Sequence, residues 1–346
     1  MSCGLLYEDV FHEHVAPGYH PERPERLDAA RDGLDAAGVL EGAVRIPGRA
    51  AEPAELEIVH DPAYLEETLR ALGSHEGYLD PDTFFSTDTR RAALEAAGGG
   101  IDLMTAVHER RADWGFALVR PPGHHATWHR AAGFCIFNNI AVATANLIAS
   151  GAARRVAIVD WDVHHGNGTQ DQFWDRPDVL FCSMHQWPHF PGSGLSHEIG
   201  GEPARGRTIN FPFPAGSADA DFLAALDEVI IPVIDAFQPD HIAISAGFDA
   251  HRRDPLAGLE LSSRCYGEMA RKIAAAARRH CGGRLTCFLE GGYDLVALTE
   301  SINEVARALS EEPGEPLPRT GIASLPGRSV IEKTLTCIRS SWPGIL

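Results

Sequence analysis

Three side chains that could hold a metal ion follow a single apolar run of the sequence. Asp160, Asp162 and His164 stand at positions i, i+2 and i+4, directly after the apolar run 156–159. Successive side chains of an extended segment alternate between faces, so these three should point the same way. Carboxylate and imidazole groups at this spacing suit zinc or a similar divalent ion. The alternative is an ordinary exit from a strand into a loop, with all three side chains solvated.

Polar groups also follow three other apolar runs that we predict to be strands. In chain order they are His124 and His125 after the run 116–119, Asp249 after the run 242–244, and Tyr293, behind two glycines, after the run 285–289. Ligands of parallel α/β sheets bind at the carboxyl ends of the strands. We therefore expect the four loops to converge, although they lie far apart in the sequence.

Convergence would give Asp162, His164 and Asp249 as three protein ligands, which is the pattern of a catalytic zinc site with an open position. Such an ion lowers the pKa of bound water and polarises a carbonyl. The adjacent histidines could take and give protons near neutral pH, and the tyrosine O–H could donate to a developing oxyanion. Together these groups predict metal-assisted hydrolysis of an amide. Each residue also has an ordinary interpretation. His124 and His125 could be loop histidines or extra metal ligands, Asp249 could cap a helix, and Tyr293 could be a half-buried tyrosine.

The elements that must position these residues alternate between short apolar strands and amphipathic helices. This alternation predicts an α/β fold with a mainly parallel sheet. Residues 1–310 are interpreted as one domain, and the Pro- and Gly-rich residues 311–346 as a tail packed on its surface. Three consecutive glycines at 98–100 interrupt the predicted helix around 88–110. They indicate either a break in this helix or the very close packing of another element.

The composition limits the classes of partner. The 346 residues carry a formal net charge of −18, which disfavours nucleic-acid binding and would attract a cationic substrate, although solubility alone could explain it. No run reaches the ~18 uninterrupted apolar residues that span a membrane, and the N-terminus lacks the pattern of a signal peptide. The seven cysteines form no C-x-x-C pair. We therefore expect reduced thiols, no membrane partner and a cytoplasmic location.

Six motifs of the chain resemble, in the same order, those of the histone deacetylase superfamily, which includes bacterial acetylpolyamine amidohydrolases and deacetylase-like amidohydrolases. They are Pro121-Pro122-Gly123-His124-His125, Gly133-Phe134-Cys135-x-Phe137-Asn138-Asn139, Asp160-x-Asp162-x-His164-His165-Gly166-Asn167-Gly168-Thr169, Gly247-Phe248-Asp249-Ala250, Asp254-Pro255-Leu256 and Glu290-Gly291-Gly292-Tyr293. Trp161 and Asn167 resemble the class II branch. The resemblance covers about residues 5–310 and implies a single arginase–deacetylase-type domain. In that fold helices flank the central sheet, and the active site lies at the C-terminal ends of its strands.

The resemblance implies a role for each residue of the site. It implies one zinc ion on Asp162, His164 and Asp249, His125 as general base and acid, His124 as its electrostatic partner, and Tyr293 as the group that polarises the acyl oxygen. It implies that Asp160 supports His124 and that a structural potassium ion binds at Asp160, Asp162, His164, Ser183 and Met184. The substrate tunnel would be lined by Gly133, Phe134, Phe190, Leu256, Gly291 and Gly292. Asn167 stands beside His125 where class I members have Asp, so this histidine would lack a charged partner.

The predicted substrate is an acylated lysine side chain or a small acylated amine. Leu256 occupies a rim position where a polyamine-selective branch of the family carries Glu. This difference weakens the alternative hypothesis that the chain is an acetylpolyamine amidohydrolase. A binuclear manganese enzyme of the arginase type would need a second Asp close to Asp249, where Ala250 and His251 stand. A non-catalytic acyl-amine binding protein is the rival from another class. Zinc and iron(II) both suit the ligands, and a homo-oligomer, the acyl length and the natural substrate stay open.

Overall fold

Short strands alternate with helices along the chain. The computed structural model describes residues 1–311 and 322–346. The strands are β1 (Cys3–Leu6), β2 (Val44–Arg45), β3 (Gly77–Tyr78), β4 (Phe84–Phe85), β5 (Trp114–Ala117), β6 (Val156–Asp160), β7 (Val179–Gln186), β8 (Thr208–Phe213), β9 (His241–Ala246) and β10 (Leu285–Leu289). The helices are α1 (Glu25–Ala36), α2 (Pro53–Leu56), α3 (Pro62–Leu72), α4 (Thr89–His108), α5 (Asn139–Ala149), α6 (Asn167–Phe173), α7 (Asp219–Ala225), α8 (Ile231–Phe237), α9 (Ser263–Cys281), α10 (Leu295–Ser310) and α11 (Leu325–Ile338).

Eight of the strands form one sheet, in the order β2–β1–β5–β10–β9–β6–β7–β8. Every pairing in this sheet is parallel. The remaining strands, β3 and β4, form a separate two-stranded antiparallel hairpin. The prediction of an α/β domain around a mainly parallel sheet is therefore confirmed.

Strand β6 shows why the sheet lies at the centre of the domain. Each of its residues from Val156 to Asp160 is buried, and the strand pairs with β7 on one side and with β9 on the other. A strand that is covered on both faces is apolar along its length rather than alternating. Parallel neighbours need crossover connections, which the helices supply. Because all eight strands point the same way, their carboxyl ends share one edge of the sheet.

Helix α4 runs without a break through its three glycines. A Cβ atom on Gly98 would lie 2.3 Å from the carbonyl oxygen of Arg49, and one on Gly99 would lie 2.7 Å from Cδ1 of Leu6. Other parts of the chain therefore approach the helix too closely for any side chain. Of the two interpretations of this glycine run, close packing is confirmed and a helix break is wrong.

The C-terminal helix α11 packs on strand β8. The hydroxyl of Thr334 donates to the carbonyl oxygen of Asn210 at 2.7 Å, and the indole N–H of Trp342 donates to the carbonyl oxygen of Gly206 at 2.9 Å. Helix α10 ends at Ser310, but the predicted domain boundary at 310/311 stays a prediction, because residues 312–321 lie outside the described part of the chain.

Two further properties concern the whole of the described chain. No helix within residues 1–311 and 322–346 is both long and apolar enough to cross a membrane. All seven cysteines are free thiols, and Cys337 is the only one that is not fully buried. Burial raises the pKa of the Cys182 thiol, so this group stays protonated near neutral pH.

His60 is a buried histidine whose two ring nitrogens both pair with backbone groups. Its Nδ1–H donates to the carbonyl oxygen of Thr127 at 2.9 Å, and its Nε2 accepts from the backbone N–H of Asn138 at 3.0 Å. A second proton on Nε2 would face this N–H group. Burial lowers the pKa of His60 from its ordinary value of 6.5 to about 4, although backbone hydrogen bonds oppose the shift.

We expect His60 to make the protein sensitive to acid. Its folded-state pKa lies below the unfolded value, so its contribution to stability is complete above pH 6.5 and is lost as the pH falls towards 4. The matched variant is His60→Gln, which keeps one donor and one acceptor but does not titrate. Chemical denaturation at several pH values would measure the free energy of unfolding. As the pH falls from 6.5 towards 4, this free energy should decrease more steeply for the wild type than for the variant, by up to ~1.4 kcal/mol per pH unit. Equal slopes for both proteins would contradict this role.

Candidate active site

The four polar loops of the sequence leave strands that are neighbours in the sheet. The order β5–β10–β9–β6 places these strands side by side. Their loops carry the histidine pair, Tyr293, Asp249 and the segment Asp162–His164, respectively. Because parallel strands end at the same edge, the loops converge as the sequence predicts.

Asp162, His164 and Asp249 form a compact cluster of potential metal ligands. One ligand atom from each residue lies within 4.8 Å of the others. Nδ1 of His164 is 3.1 Å from Oδ1 of Asp162 and 3.2 Å from Oδ2 of Asp249. This last oxygen is buried and accepts no hydrogen bond from the described residues. An unsatisfied buried carboxylate oxygen beside a nitrogen and a second carboxylate fits one divalent cation with an open position.

The electrostatics of the cluster also fit a cation. Burial lowers the pKa of His164, but the contacts of its ring with the carboxylates of Asp162 and Asp249 outweigh it and raise the pKa to about 10. Backbone groups fix the carboxylates: the N–H of Val163 donates to Asp249 at 2.8 Å and that of Gly291 donates to Asp162 at 2.8 Å. Two buried carboxylates thus stabilise positive charge at this point, which a metal ion would supply.

His124 and His125 stand side by side with different partners. Their ring centroids are 4.0 Å apart. Nδ1 of His124 lies 2.9 Å from Oδ2 of Asp160, and Nδ1 of His125 lies 2.8 Å from Oδ1 of Asn167. Both rings are buried. One histidine therefore has an anionic partner and the other a neutral amide.

The two histidines differ in pKa because of these surroundings. Burial lowers the pKa of His124, but the charges of Asp162 and Asp160 outweigh it and raise the pKa well above its ordinary value. Burial lowers the pKa of His125, and the neighbouring His124 and His164 lower it further. The pair therefore combines one ring that retains a proton with one that is ready to accept one.

Three of the five residues of the predicted potassium site, Asp160, Ser183 and Met184, lie on two neighbouring strands, and Asp162 and His164 follow in the loop after β6. Asp160, at the end of β6, is opposite Ser183 of β7, and Met184 follows it. Oδ1 of Asp160 accepts the backbone N–H of Asp162 at 3.1 Å. The hydroxyl of Ser183 lies 2.9 Å from Nδ1 of His185. The structure thus brings these residues together, and a potassium ion there stays a prediction.

A narrow cavity leads from the surface to the histidine pair. Its volume is about 220 Å³, and it is lined by Asp82, Pro122, His124, His125, Gly133, Phe134, His164, Phe190, Leu256, Gly291 and Tyr293. The ring of Phe190 meets that of His125 edge-on at 5.0 Å, and the ring of Phe134 meets that of Tyr293 edge-on at 6.0 Å. Aromatic walls of this kind would enclose an aliphatic chain and exclude water.

Two of the predicted tunnel glycines line this cavity because no side chain would fit there. A Cβ atom on Gly133 would lie 2.4 Å from the ring of His125, and one on Gly291 would lie 2.0 Å from Oδ2 of Asp249. Gly292 has a φ of 124°, in the region that favours glycine, but it is not among the lining residues. Its predicted place in the substrate tunnel therefore stays a prediction.

Comparison with known proteins addresses the family directly. The model of the histone deacetylase domain matches residues 20–309. A probable deacetylase of Archaeoglobus fulgidus is 41% identical over 298 residues, which cover 85% of this chain and 82% of that protein. This chain belongs to the histone deacetylase family.

Two further relatives bear on the domain and on the substrate. The crystal structure of the HDA15 HD domain superposes with a TM-score of 0.92 at 36% identity and covers 100% of this chain and 98% of that one. The human polyamine deacetylase HDAC10 is 36% identical over 326 residues, 90% of this chain, but this alignment spans 47% of the human protein. Histone deacetylase family members act on acetylated amines, and the fold of this member is that of the family's catalytic domain.

Sequence reasoning missed a group of buried charges behind the tyrosine loop of this histone deacetylase family member. The carboxylate of Glu22 accepts hydrogen bonds from the guanidinium groups of both Arg26 and Arg120. No motif of the sequence singles out Glu22. Its ion-pair partner Arg120 lies almost a hundred positions away, so no local spacing could have revealed the contact.

Three further residues near the site were also missed. Asp254 accepts the backbone N–H of Tyr293 at 2.7 Å, Glu290 accepts that of His124 at 3.1 Å, and Asp82 lines the cavity. Two of these, Asp254 and Glu290, lie inside the motifs that carry the resemblance, which was the only signal for them. Asp82 lies in a turn that carries no such signal.

We expect the chain to bind one divalent cation, with Asp249 as an essential ligand. Asp249→Asn keeps the shape of the side chain but removes the charge and should lower metal affinity by at least tenfold, because one of two anionic ligands is lost. Equilibrium dialysis with zinc and elemental analysis would measure this. The matched control is Asp221→Asn, since Asp221 is also buried but accepts hydrogen bonds from Ala218 and Ser324, on the edge of the domain. Full metal occupancy in the Asp249 variant would contradict the assignment.

Proposed function

We propose that this chain is a zinc-dependent deacylase that hydrolyses the amide of an Nε-acyl-lysine side chain. The observation that carries the proposal is that three groups meet at one cavity, which His124, His125, His164 and Tyr293 line. These are the cation site, a histidine pair of opposite charge preference and a tyrosine hydroxyl. Asp162, His164 and Asp249 would hold the ion. When bound, the ion supplies Lewis acidity, which acidifies water and polarises an acyl oxygen.

His125 is proposed as the general base and then the acid. Its Nδ1–H donates to Asn167 at 2.8 Å, so the neutral ring presents the lone pair of Nε2. Because burial and the neighbouring histidines lower the pKa of His125, the ring is unprotonated when water attacks the acyl carbon. It takes a proton from that water and then gives a proton to the departing amine. His124 keeps its proton through its contact with Asp160 and stabilises negative charge as it develops.

Tyr293 is proposed to donate its hydroxyl to the acyl oxygen. Burial raises the pKa of Tyr293 well above its ordinary value, although Arg26 opposes the shift. The hydroxyl therefore stays protonated at neutral pH and can act as a hydrogen-bond donor. A donor that is fixed in a water-poor site stabilises an oxyanion more than it stabilises the ground-state carbonyl.

The shape of the cavity favours a long aliphatic amine as the leaving group. Phe134 and Phe190 would enclose the methylene chain of lysine, and Leu256 at the rim leaves a peptide backbone outside. A small acetylpolyamine is the second candidate, which the likeness to a polyamine deacetylase supports. The apolar Leu256 offers no charge to a second ammonium group, although Asp82 could.

We also propose potassium at the Asp160–Ser183 pairing, in a structural role.

Tyr293→Phe tests the proposed oxyanion donor. The ring keeps its packing against Phe134 and loses only the hydroxyl, so kcat should fall by ~10²–10³. Zinc stoichiometry and KM should change little, because the lost contact forms chiefly in the transition state. Steady-state kinetics on an acetyl-lysine peptide would measure the change. Unaltered turnover would refute this role for the hydroxyl.

A substrate panel tests the proposed function itself. The zinc-loaded protein is assayed on acetyl-lysine peptides, longer acyl-lysine peptides, acetylputrescine and acetylspermidine, with Asp249→Ala as the control. We expect the highest kcat/KM on an acyl-lysine peptide and no turnover by the variant. A strong preference for acetylputrescine or acetylspermidine would identify an acetylated polyamine, and not acyl-lysine, as the substrate. No turnover on any member at full zinc occupancy would favour a binding protein that has kept the pocket of an enzyme.

A further inference from the structure

The loop that carries the proposed oxyanion donor has little of its own to hold it in place. Gly291 and Gly292 precede Tyr293, and Gly292 has a φ of 124°. Glycines restrict the backbone least of all residues, so contacts from outside must fix the loop. The backbone N–H groups of Gly291 and Tyr293 are held by the carboxylates of Asp162 and Asp254. These contacts fix two points of the loop but leave the carbonyl of Gly292 between them.

Arg26 holds this carbonyl. Its Nε–H donates to the carbonyl oxygen of Gly292 at 2.6 Å, and Nη2 donates to the carbonyl oxygen of Glu290. Its guanidinium carbon lies 4.9 Å from the centroid of the Tyr293 ring, over its face. In the part of the chain that the structure describes, no other side chain donates to the Gly292 carbonyl. Arg26 thus contacts the loop both through its backbone and through the ring.

Arg26 is itself fully buried and needs an anionic partner. Carbonyl oxygens carry only partial charges, and an unpaired buried cation is strongly destabilising. Nη1 of Arg26 donates to Oε1 of Glu22 at 3.1 Å, and among the described residues this is the only ion pair of Arg26. Glu22, which is also fully buried, therefore sets where the guanidinium of Arg26 can lie.

Glu22 is held in turn by Arg120. The guanidinium of Arg120 grips both carboxylate oxygens, with Nε on Oε1 and Nη2 on Oε2. Two of its other N–H groups donate to the carbonyl oxygens of Phe11 and His14 at 2.8 and 2.9 Å. Burial raises the pKa of Glu22, but the charge and hydrogen bonds of Arg120 outweigh it and lower the pKa to about 2. The carboxylate is therefore ionised whenever the protein is folded near neutral pH.

We infer that Glu22 is a positioning residue for Tyr293: its carboxylate holds Arg26 against the Gly291–Tyr293 loop and thereby fixes the hydroxyl in the cavity. The inference rests on the proposed function of this site. Glu22 does not line the cavity, so it acts through Arg26 and not on the substrate. The three ligands of the cation site come from other loops, so the role predicts an effect on turnover without an effect on metal binding.

A double-mutant cycle tests this role. Glu22→Gln and Tyr293→Phe are made singly and together, and kcat and KM are measured on an acetyl-lysine peptide with zinc at full occupancy. If Glu22 acts by placing the hydroxyl, Glu22→Gln lowers kcat about tenfold in the wild-type background, with KM within about twofold. In the Tyr293→Phe background, where no hydroxyl remains to be placed, the same change lowers kcat less than about twofold. A residue that only stabilises the fold would act equally in both backgrounds.

Controls separate positioning from general destabilisation. Asp221→Asn also removes a buried carboxylate that holds backbone N–H groups, and it should lower the melting temperature while leaving kcat unchanged. If Glu22→Gln does not fold, the same cycle is run with Glu22→Asp, which keeps the charge but shortens the side chain by one methylene group. Equal factors in both backgrounds, a change in KM alone, or an unchanged kcat in folded protein would each overturn the positioning role.

The same data distinguish this inference from the proposed function. Turnover by the wild type that Asp249→Ala abolishes establishes the function before the cycle is read. An additive cycle in an active enzyme then refutes only the role of Glu22. A wild type without turnover on any acylated amine refutes the function, and the positioning role falls with it.

Discussion

The burial of several carboxylates at one edge of the sheet is the constraint on which the site depends. Charges removed from water are costly unless each meets a partner or a directed hydrogen bond. The backbone passes very close to these carboxylates, and at three positions the residue that does so is glycine. A Cβ atom on Gly247 would lie 2.0 Å from Oδ2 of Asp162, one on Gly291 2.0 Å from Oδ2 of Asp249, and one on Gly166 2.2 Å from Oδ2 of Asp160. The glycines around the site are thus a consequence of its charge.

A second group of buried charges has no direct part in the cation site and still governs the cavity wall. Glu22 lies between Arg26 and Arg120, so one carboxylate compensates two guanidinium groups. His14 stands 3.6 Å from the same carboxylate; burial lowers the pKa of His14 to about 3, which keeps the ring neutral. The N-terminal loop, the loop before the histidine pair and the tyrosine loop meet in this group. Their relative positions are therefore set by electrostatic pairing in the interior and not by contacts at the surface.

Much of the site could be predicted from the sequence because its residues follow apolar runs. The apolar run 156–159 places Asp162 and His164 just past the carboxyl end of β6, although they lie in the loop and not on an extended strand. The parallel direction of the strands brings Asp249 and Tyr293 to the same edge. The fold class followed from the same alternation of strands and helices. These inferences succeed because each depends on local pattern plus one rule of topology.

The parts that escaped prediction depend on contacts between distant segments. The glycine run of α4 left two interpretations open, and only the approach of Arg49 and Leu6 decides between them. The pairing of Glu22 with Arg120 leaves no periodic trace, since both lie in loops. The stacking of His189 on His164, with ring centroids 5.0 Å apart, follows from how one loop folds over another. Local sequence carries no information about such contacts between distant segments.

Asn167 shows how one neutral side chain can set the chemistry of this site. An aspartate in its place would accept the Nδ1–H of His125 equally well, but its charge would favour the protonated ring. The amide oxygen fixes the same tautomer without that charge, and burial together with His124 and His164 then keeps the pKa of His125 low. For His124 burial also lowers the pKa, but the negative charges of Asp162 and Asp160 outweigh it and raise the pKa. Two adjacent histidines thus acquire different proton affinities from the charges that surround them, which is the arrangement that a base with a cationic neighbour requires.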